Sequence, residues 1–248
     1  MGEKARVDYA FVLAVGLVAG TFSGIVGTGS SMILVPVLVY AFGPKEAVPI
    51  MAVAGVMANM SRVLAWWREV DWRACAAYSL TGIPAAALGA RTLLVLPSRV
   101  VDVAIGAFLI LMIPARRWLA RRDFKVTLGH LAIAGAIVGF LTGIVVSTGP
   151  ISVAMFLTYG LVKGAFLSTE AGSSLAVFVS KVATFGVFGA LPAAVLAKGL
   201  ITGSSLMAGT FIAKRFVVRL EAQSFRLLMD ALMLASGLVM LWNAAQAP

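Results

Sequence analysis

Two basic side chains stand inside long apolar runs of this chain, Arg62 directly after Ser61 and Lys181 directly after Ser180. A charge at the centre of a membrane helix costs about 2.5–3.5 kcal/mol on an insertion scale, so it needs a counter-ion, a wet cavity or a reach to the surface. An anionic ligand would meet that need. Other donors lie in Asn59, three residues before Arg62, and in two clusters that interrupt the apolar pattern. These are Gly29, Ser30 and Ser31 in the first half, and Ser147, Thr148, Gly149 and Pro150 in the second. Tyr40 and Tyr159 add a phenol after each cluster. Cations, amides and hydroxyls together make the chemistry of anion binding. Catalysis is not supplied: the chain has one histidine, His130, one cysteine, Cys75, no HExxH and no pair of carboxylates deep in a run. No catalytic centre, metal site or cofactor is therefore expected.

Each of these residues also has a plainer reading. Arg62 comes shortly before Trp66, Trp67 and Arg68, which look like an interfacial belt, so its head could snorkel to the boundary. Asn59, Ser61, Ser173, Ser174 and Ser180 suit ordinary helix–helix hydrogen bonds, and tyrosines are common interface anchors. Coupling to a proton or another ion would require a carboxylate. Glu170 and Asp102 read as helix-start charges, and Asp230 as the partner of Arg226 four residues earlier.

The elements that must hold these residues are helices in lipid. The chain of 248 residues is 61% hydrophobic and 12% charged, with a mean hydropathy of +1.01. A soluble domain of this size cannot hide that much apolar surface. A net charge of +10 would suit nucleic acid, but the basic residues bunch at the ends of apolar runs, as the positive-inside rule expects. The N-terminus lacks a small-residue cleavage pattern and reads as a retained lead-in to the first span. Apolar runs fall roughly at 9–28, 30–42, 46–66, 73–95, 98–118, 127–147, 150–162, 164–189, 196–214 and 224–242. Most approach the roughly 20 residues that cross a bilayer. The 30–42 and 150–162 runs are half that length, and each follows a glycine-rich stretch: Gly20, Gly24, Gly27 and Gly29 in one case, Gly139, Gly143 and Gly149 in the other. Irregular backbone at membrane depth survives where it lines a protected cavity. A helix that starts there aims unpaired N–H groups and the positive end of its dipole at the cavity. Ser30 and Ser31, then Ser147 or Thr148 with Pro150, are suitable helix-start residues. Glycines four apart, such as Gly20 and Gly24, also permit close packing between helices.

The halves repeat. A shift of 119 positions superposes Gly16 on Gly135, Gly20 on Gly139, Gly24 on Gly143, Tyr40 on Tyr159, Ser61 on Ser180 and Arg62 on Lys181. The fold class expected is all-α: a polytopic membrane protein of two repeats, residues 1–125 and 126–248, each with about five hydrophobic segments. That makes about eight full spans plus short or broken helices. An odd number of segments per repeat inverts the second copy across the membrane. The basic clusters around Arg116–Lys125 and Lys214–Arg226 then fall on the cytoplasmic side, and both termini on the other face.

The first break ending in proline, its echo ending in Gly149-Pro150, and the length of the chain resemble the sulfite exporter family of membrane permeases, the TauE/SafE type. The resemblance covers nearly the whole chain and is most specific at residues 20–36 and 139–150. That family commonly ends the first break in three glycines, where this chain has Gly29, Ser30 and Ser31. The resemblance implies a multi-pass protein of a bacterial-type inner membrane and secondary transport of sulfite, sulfonates or related small anions. A midplane site between the breaks would be reached alternately from either side. Its partners would be the anion, the bilayer and a possible coupling proton or ion. Nucleic acid is not expected, and oligomeric state is left open. A passive anion channel or a non-transporting scaffold are the alternatives.

Overall fold

The structure, a computed structural model, describes residues 3–27, 29–97, 126–144 and 148–216, with isolated positions between 100 and 114 and between 234 and 245. The expected spans at 98–118 and 224–242 and both basic clusters fall largely outside the described residues. Every described element is helical: α1 (Glu3–Val26), α2 (Ser30–Phe42), α3 (Pro44–Ala65), a short 3-10 turn (Trp67–Glu69), α4 (Trp72–Val95), α5 (Leu128–Ile144), α6 (Gly149–Tyr159), α7 (Lys163–Val187) and α8 (Ala193–Phe216). At 1.5 Å per residue, α2 and α6, of 13 and 11 residues, reach roughly 20 and 16 Å, about half a bilayer.

The break between α1 and α2 depends on glycine. Gly27 and Gly29 take φ of 88° and 108°, a region that side-chain-bearing residues rarely enter. A Cβ on Gly27 would also stand 2.9 Å from the Phe166 ring of α7. Asp71 starts α4 by accepting from the backbone N–H groups of Arg73 and Ala74 at 3.0 and 3.1 Å. The Asp71 N–H donates to Thr169 Oγ1 at 2.9 Å, which ties that start to the middle of α7.

Small residues decide which helices touch. A Cβ on Gly20 would strike the Leu206 backbone of α8, and one on Gly209 the Leu17–Thr21 turn of α1. In the other half, Gly139 and Gly143 of α5 meet the backbone of α4 around Gly82 and Gly89. These are the close approaches that hold helices together in lipid, where apolar burial gives no preference for protein over hydrocarbon. Helix α1 thus packs on α8, and α5 on α4. Helix α3 packs on α8 and α7 on α4, while α3 and α7 pack on each other. Exchanging the two copies of the 119-residue repeat maps this set of neighbours onto itself.

Two apolar clusters form. One, around Leu34, Leu38, Ile50, Met51 and Leu206, joins α2, α3 and α8; the other, around Tyr78, Leu131, Phe156, Phe166 and Val177, joins α4 to α7. Outward faces carry exposed Phe11, Val18, Leu80, Leu88, Ile133 and Phe211, whereas Arg62, Glu170, Lys181, Asn59 and many hydroxyls are buried. Apolar outside and polar inside inverts the soluble pattern and matches lipid as solvent. Helices α3 and α8 contain 20 and 21 residues long and apolar enough to cross a membrane.

Candidate functional site

Both breaks open onto one small cavity of about 30 Å³, partly open to the outside. The first repeat lines it with Ser23, Gly27, Gly29, Ser30, Ser31, Gly55, Ala58, Asn59, Arg62 and Tyr78. The second contributes Thr142, Thr148, Gly149, Glu170, Ser174, Val177 and Phe178. Shifted by 119, Ser23 falls on Thr142, Gly29 on Thr148, Ser30 on Gly149, Gly55 on Ser174, Ala58 on Val177 and Asn59 on Phe178. Both members of each of these pairs line the cavity. Gly27, Ser31, Arg62, Tyr78 and Glu170 line it without their counterparts.

Arg62 is 5% exposed and points inward, so it does not snorkel. Its Nη1 donates to the Gly27 carbonyl and to Glu170 Oε2, the latter at 3.0 Å, and its Nη2 donates to Asn59 Oδ1. Its buried Nε finds no acceptor among the described residues. Glu170 is equally buried, and its Oε1 accepts from Ser152 at 2.9 Å and Ser174 at 2.8 Å. Glu170 does not lie in a first helical turn. Because α7 begins at Lys163, the carboxylate stands two turns inside the helix, and its partner is a cation across the cavity.

Lys181 takes a different position from its repeat partner. It is fully buried, and its Nζ donates to the Thr142 carbonyl at 2.7 Å and lies 5.6 Å from the Phe185 ring centre. It is not among the residues lining the cavity, whose wall it holds through Thr142. Arg62 and Lys181 nonetheless make the same kind of contact, since each donates to a carbonyl at the C-terminal end of the helix before a break, α1 or α5. Those carbonyls lie where a helix carries the negative end of its dipole.

The starts of α2 and α6 face the same cavity with the positive dipole end. Gly29, not Ser30 or Ser31, occupies the cap position of α2, because the left-handed turn needed there excludes serine. Both serines lie in the first turn and are 7% exposed. Thr148 does occupy the cap position of α6 but makes no capping bond. Its hydroxyl pairs instead with Thr142 Oγ1. Gly149 and Pro150 open α6; Ser147 and the Pro150 ring lie outside the described residues. Tyr40 is 83% exposed and Tyr159 packs partly against the second apolar cluster, so neither lines the cavity. Ser61 and Ser173 bond within their own helices, and Ser180 donates to Ile83 of α4. Asp102 and Asp230 are outside the described residues.

Sequence reasoning passed over Tyr78, Thr142 and Ser152, and gave Glu170 the wrong role. A charge inside an apolar run was the available signal for Glu170. For the hydroxyl residues no signal exists, since Thr142 also bonds its own helix at Val138, as Thr21 does at Leu17. Among the described residues no group of three or more histidine, cysteine or acidic side chains could hold a metal ion.

Comparison with known proteins agrees with the resemblance at the breaks. Neither a curated protein nor a solved structure matches the chain. The family model described as sulfite exporter TauE/SafE matches residues 12–240, which include both breaks, Arg62, Glu170 and Lys181. The chain belongs to the sulfite exporter TauE/SafE family of membrane transporters.

Proposed function

We propose that this chain is a secondary transporter of small oxyanions, sulfite or organosulfonates, with its substrate in the cavity between the two breaks. The observation that carries this reading is Arg62: a guanidinium buried at the cavity wall whose Nε lacks an acceptor, beside two helix starts that have no side-chain caps. A sulfonate presents three acceptor oxygens on one face. One oxygen meets Arg62, and the others meet the first-turn donors of α2 and the hydroxyls of Ser30, Ser31 and Thr148. Asn59 holds the guanidinium in place through its Oδ1. Lys181 acts from behind the wall by fixing Thr142.

The paired lining residues and the exchangeable helix contacts support two repeats related by a pseudo-twofold axis through the cavity. Inverted repeats of this kind alternate access by rocking one copy against the other. The basic stretch from Arg116 to Lys125 would lie on the cytoplasmic side of an inner membrane, with both termini opposite.

A thermal-shift series on the purified protein tests the substrate class, because a ligand that binds the native state raises its apparent stability by mass action. Sulfite, thiosulfate and ethanesulfonate should each raise Tm in a saturating manner, and acetate much less. Equal shifts with acetate, or none with the sulfur oxyanions, would overturn the assignment.

A further inference from the structure

Resting on the oxyanion reading above, we propose that Glu170 is the proton-coupling group of the site: an arriving anion takes Arg62 from Glu170, and the released carboxylate binds one proton that travels with the anion. Glu170 is the carboxylate in the cavity lining, and its Oε2 lies 3.0 Å from the same guanidinium whose Nε remains for a ligand. A second negative charge on that guanidinium weakens the pair it already makes, since like charges sharing one cation disfavour each other's ionised form. The proton comes from hydronium or a buffer acid on the open side: the donor's bond to hydrogen breaks as an O–H bond forms on the carboxyl, the donor leaves as its conjugate base, and no other bond changes. A monoanion plus a proton leaves the net charge of the site unchanged between its empty and loaded states. That matters in a bilayer, where a net buried charge would resist any motion that carries it across.

The surroundings of Glu170 fit both protonation states. Its Oε1 partners are the hydroxyls of Ser152 on α6 and Ser174 on α7, and a hydroxyl rotates from donor to acceptor, unlike a backbone N–H. Helix α3 presents Arg62 and Asn59, and α4 presents Tyr78 at the cavity and Cys75 beside Gly172. The 3-10 turn brings Glu69 to Gly164, nearly two turns before Glu170 on α7, and Lys181 lies three turns beyond it, bonded to Thr142. None of these other groups stands between the carboxylate and the guanidinium.

Anion and proton affinities are then linked reciprocally. The probes are ethanesulfonate and thiosulfate, which do not titrate between about pH 5.5 and 8. Ethanesulfonate affinity of the purified wild-type protein should fall up to about tenfold per pH unit as pH rises, and its binding should take about one proton from a weakly buffered solution. In Glu170→Gln the pH profile should be flat and proton uptake absent. Should that variant fail to fold, Ser174→Ala, which removes one hydroxyl from the carboxylate, should move the pH at which affinity changes. Binding of either probe with a flat wild-type profile and no proton uptake would overturn the coupling while leaving the oxyanion reading intact. An unmoved profile in Ser174→Ala, or an undiminished slope in Glu170→Gln, would assign the proton elsewhere. No binding of either probe at any pH would remove the oxyanion reading itself.

Discussion

The two breaks meet the same backbone problem with different side chains. At the first, Gly27 directly after α1 offers its carbonyl to Arg62, and Arg62 reaches across the cavity to Glu170. At the second, α5 ends near Thr142, whose carbonyl accepts from Lys181, and Lys181 stays behind the wall. The repeat position of Glu170 is held by Met51, fully buried in the first apolar cluster. What the breaks share is thus a buried cation that donates to the C-terminal end of a helix. What they do not share is the charge that faces the cavity. Positions 119 apart line much of the cavity in pairs, whereas Arg62, Glu170 and Tyr78 line it alone. Arginine suits its side because one planar fork serves a carbonyl, a carboxylate and an amide oxygen at once; lysine suits a point contact.

Truncating the two cations gives the largest effect and separates the breaks. Arg62→Met leaves the Glu170 carboxylate buried without its counter-ion, and breaking one side of a buried pair costs about 3–5 kcal/mol. Lys181→Met removes one charge-assisted hydrogen bond to the neutral carbonyl of Thr142, for which about 1–3 kcal/mol is expected. Denaturation of the two variants in one detergent should rank them in that order, and ethanesulfonate should stop stabilising the Arg62 variant while still stabilising the other. Equal losses, or oxyanion binding retained without Arg62, would erase the distinction between the breaks.

Next in size are substitutions at the helix contacts, where the halves should behave alike. Leucine at Gly20 would enter the α8 backbone, and leucine at Gly139 the α4 backbone. Overpacking of this kind costs about 1–3 kcal/mol, more where backbone must shift. Gly20→Leu and Gly139→Leu should therefore lower Tm by similar amounts. A large loss in one and none in the other would show that the repeats are not packed equivalently.

These cases also show what a sequence of this kind reveals. Both half-length helices were legible because their termini are set by run length and glycine placement, which are local properties: expected at 30–42 and 150–162, they occur at Ser30–Phe42 and Gly149–Tyr159. Arg62 was legible as a misplaced charge. Its partner was not, because pairing Arg62 with Glu170 joins residues 108 positions apart through the crossing of α3 and α7, and no periodicity reports which helix faces cross. The serine caps failed for a conformational reason, since the chain must turn left-handed at Gly29 before α2 begins. Lys181 matched Arg62 in sequence yet sits behind the wall, so repeat alignment located the residue without locating its role.

The smallest effects are expected at Tyr40 and Tyr159, which the repeat aligns as neatly as any site pair. Tyr40 is 83% exposed at the far end of α2 from the break, and Tyr159 closes the last turn of α6 against the second apolar cluster. Removing either hydroxyl should change stability by less than about 0.5 kcal/mol and leave the ethanesulfonate midpoint where it is in the wild type. Tyr78→Phe is the informative contrast. That ring is 2% exposed, lies tilted with its centre 5.4 Å from that of Phe156, and lines the cavity where position 197, 119 residues on, is an alanine that does not. Loss of its hydroxyl should weaken oxyanion binding more than both aligned tyrosines together, because position in the cavity, rather than correspondence between the copies, decides which donors reach the ligand.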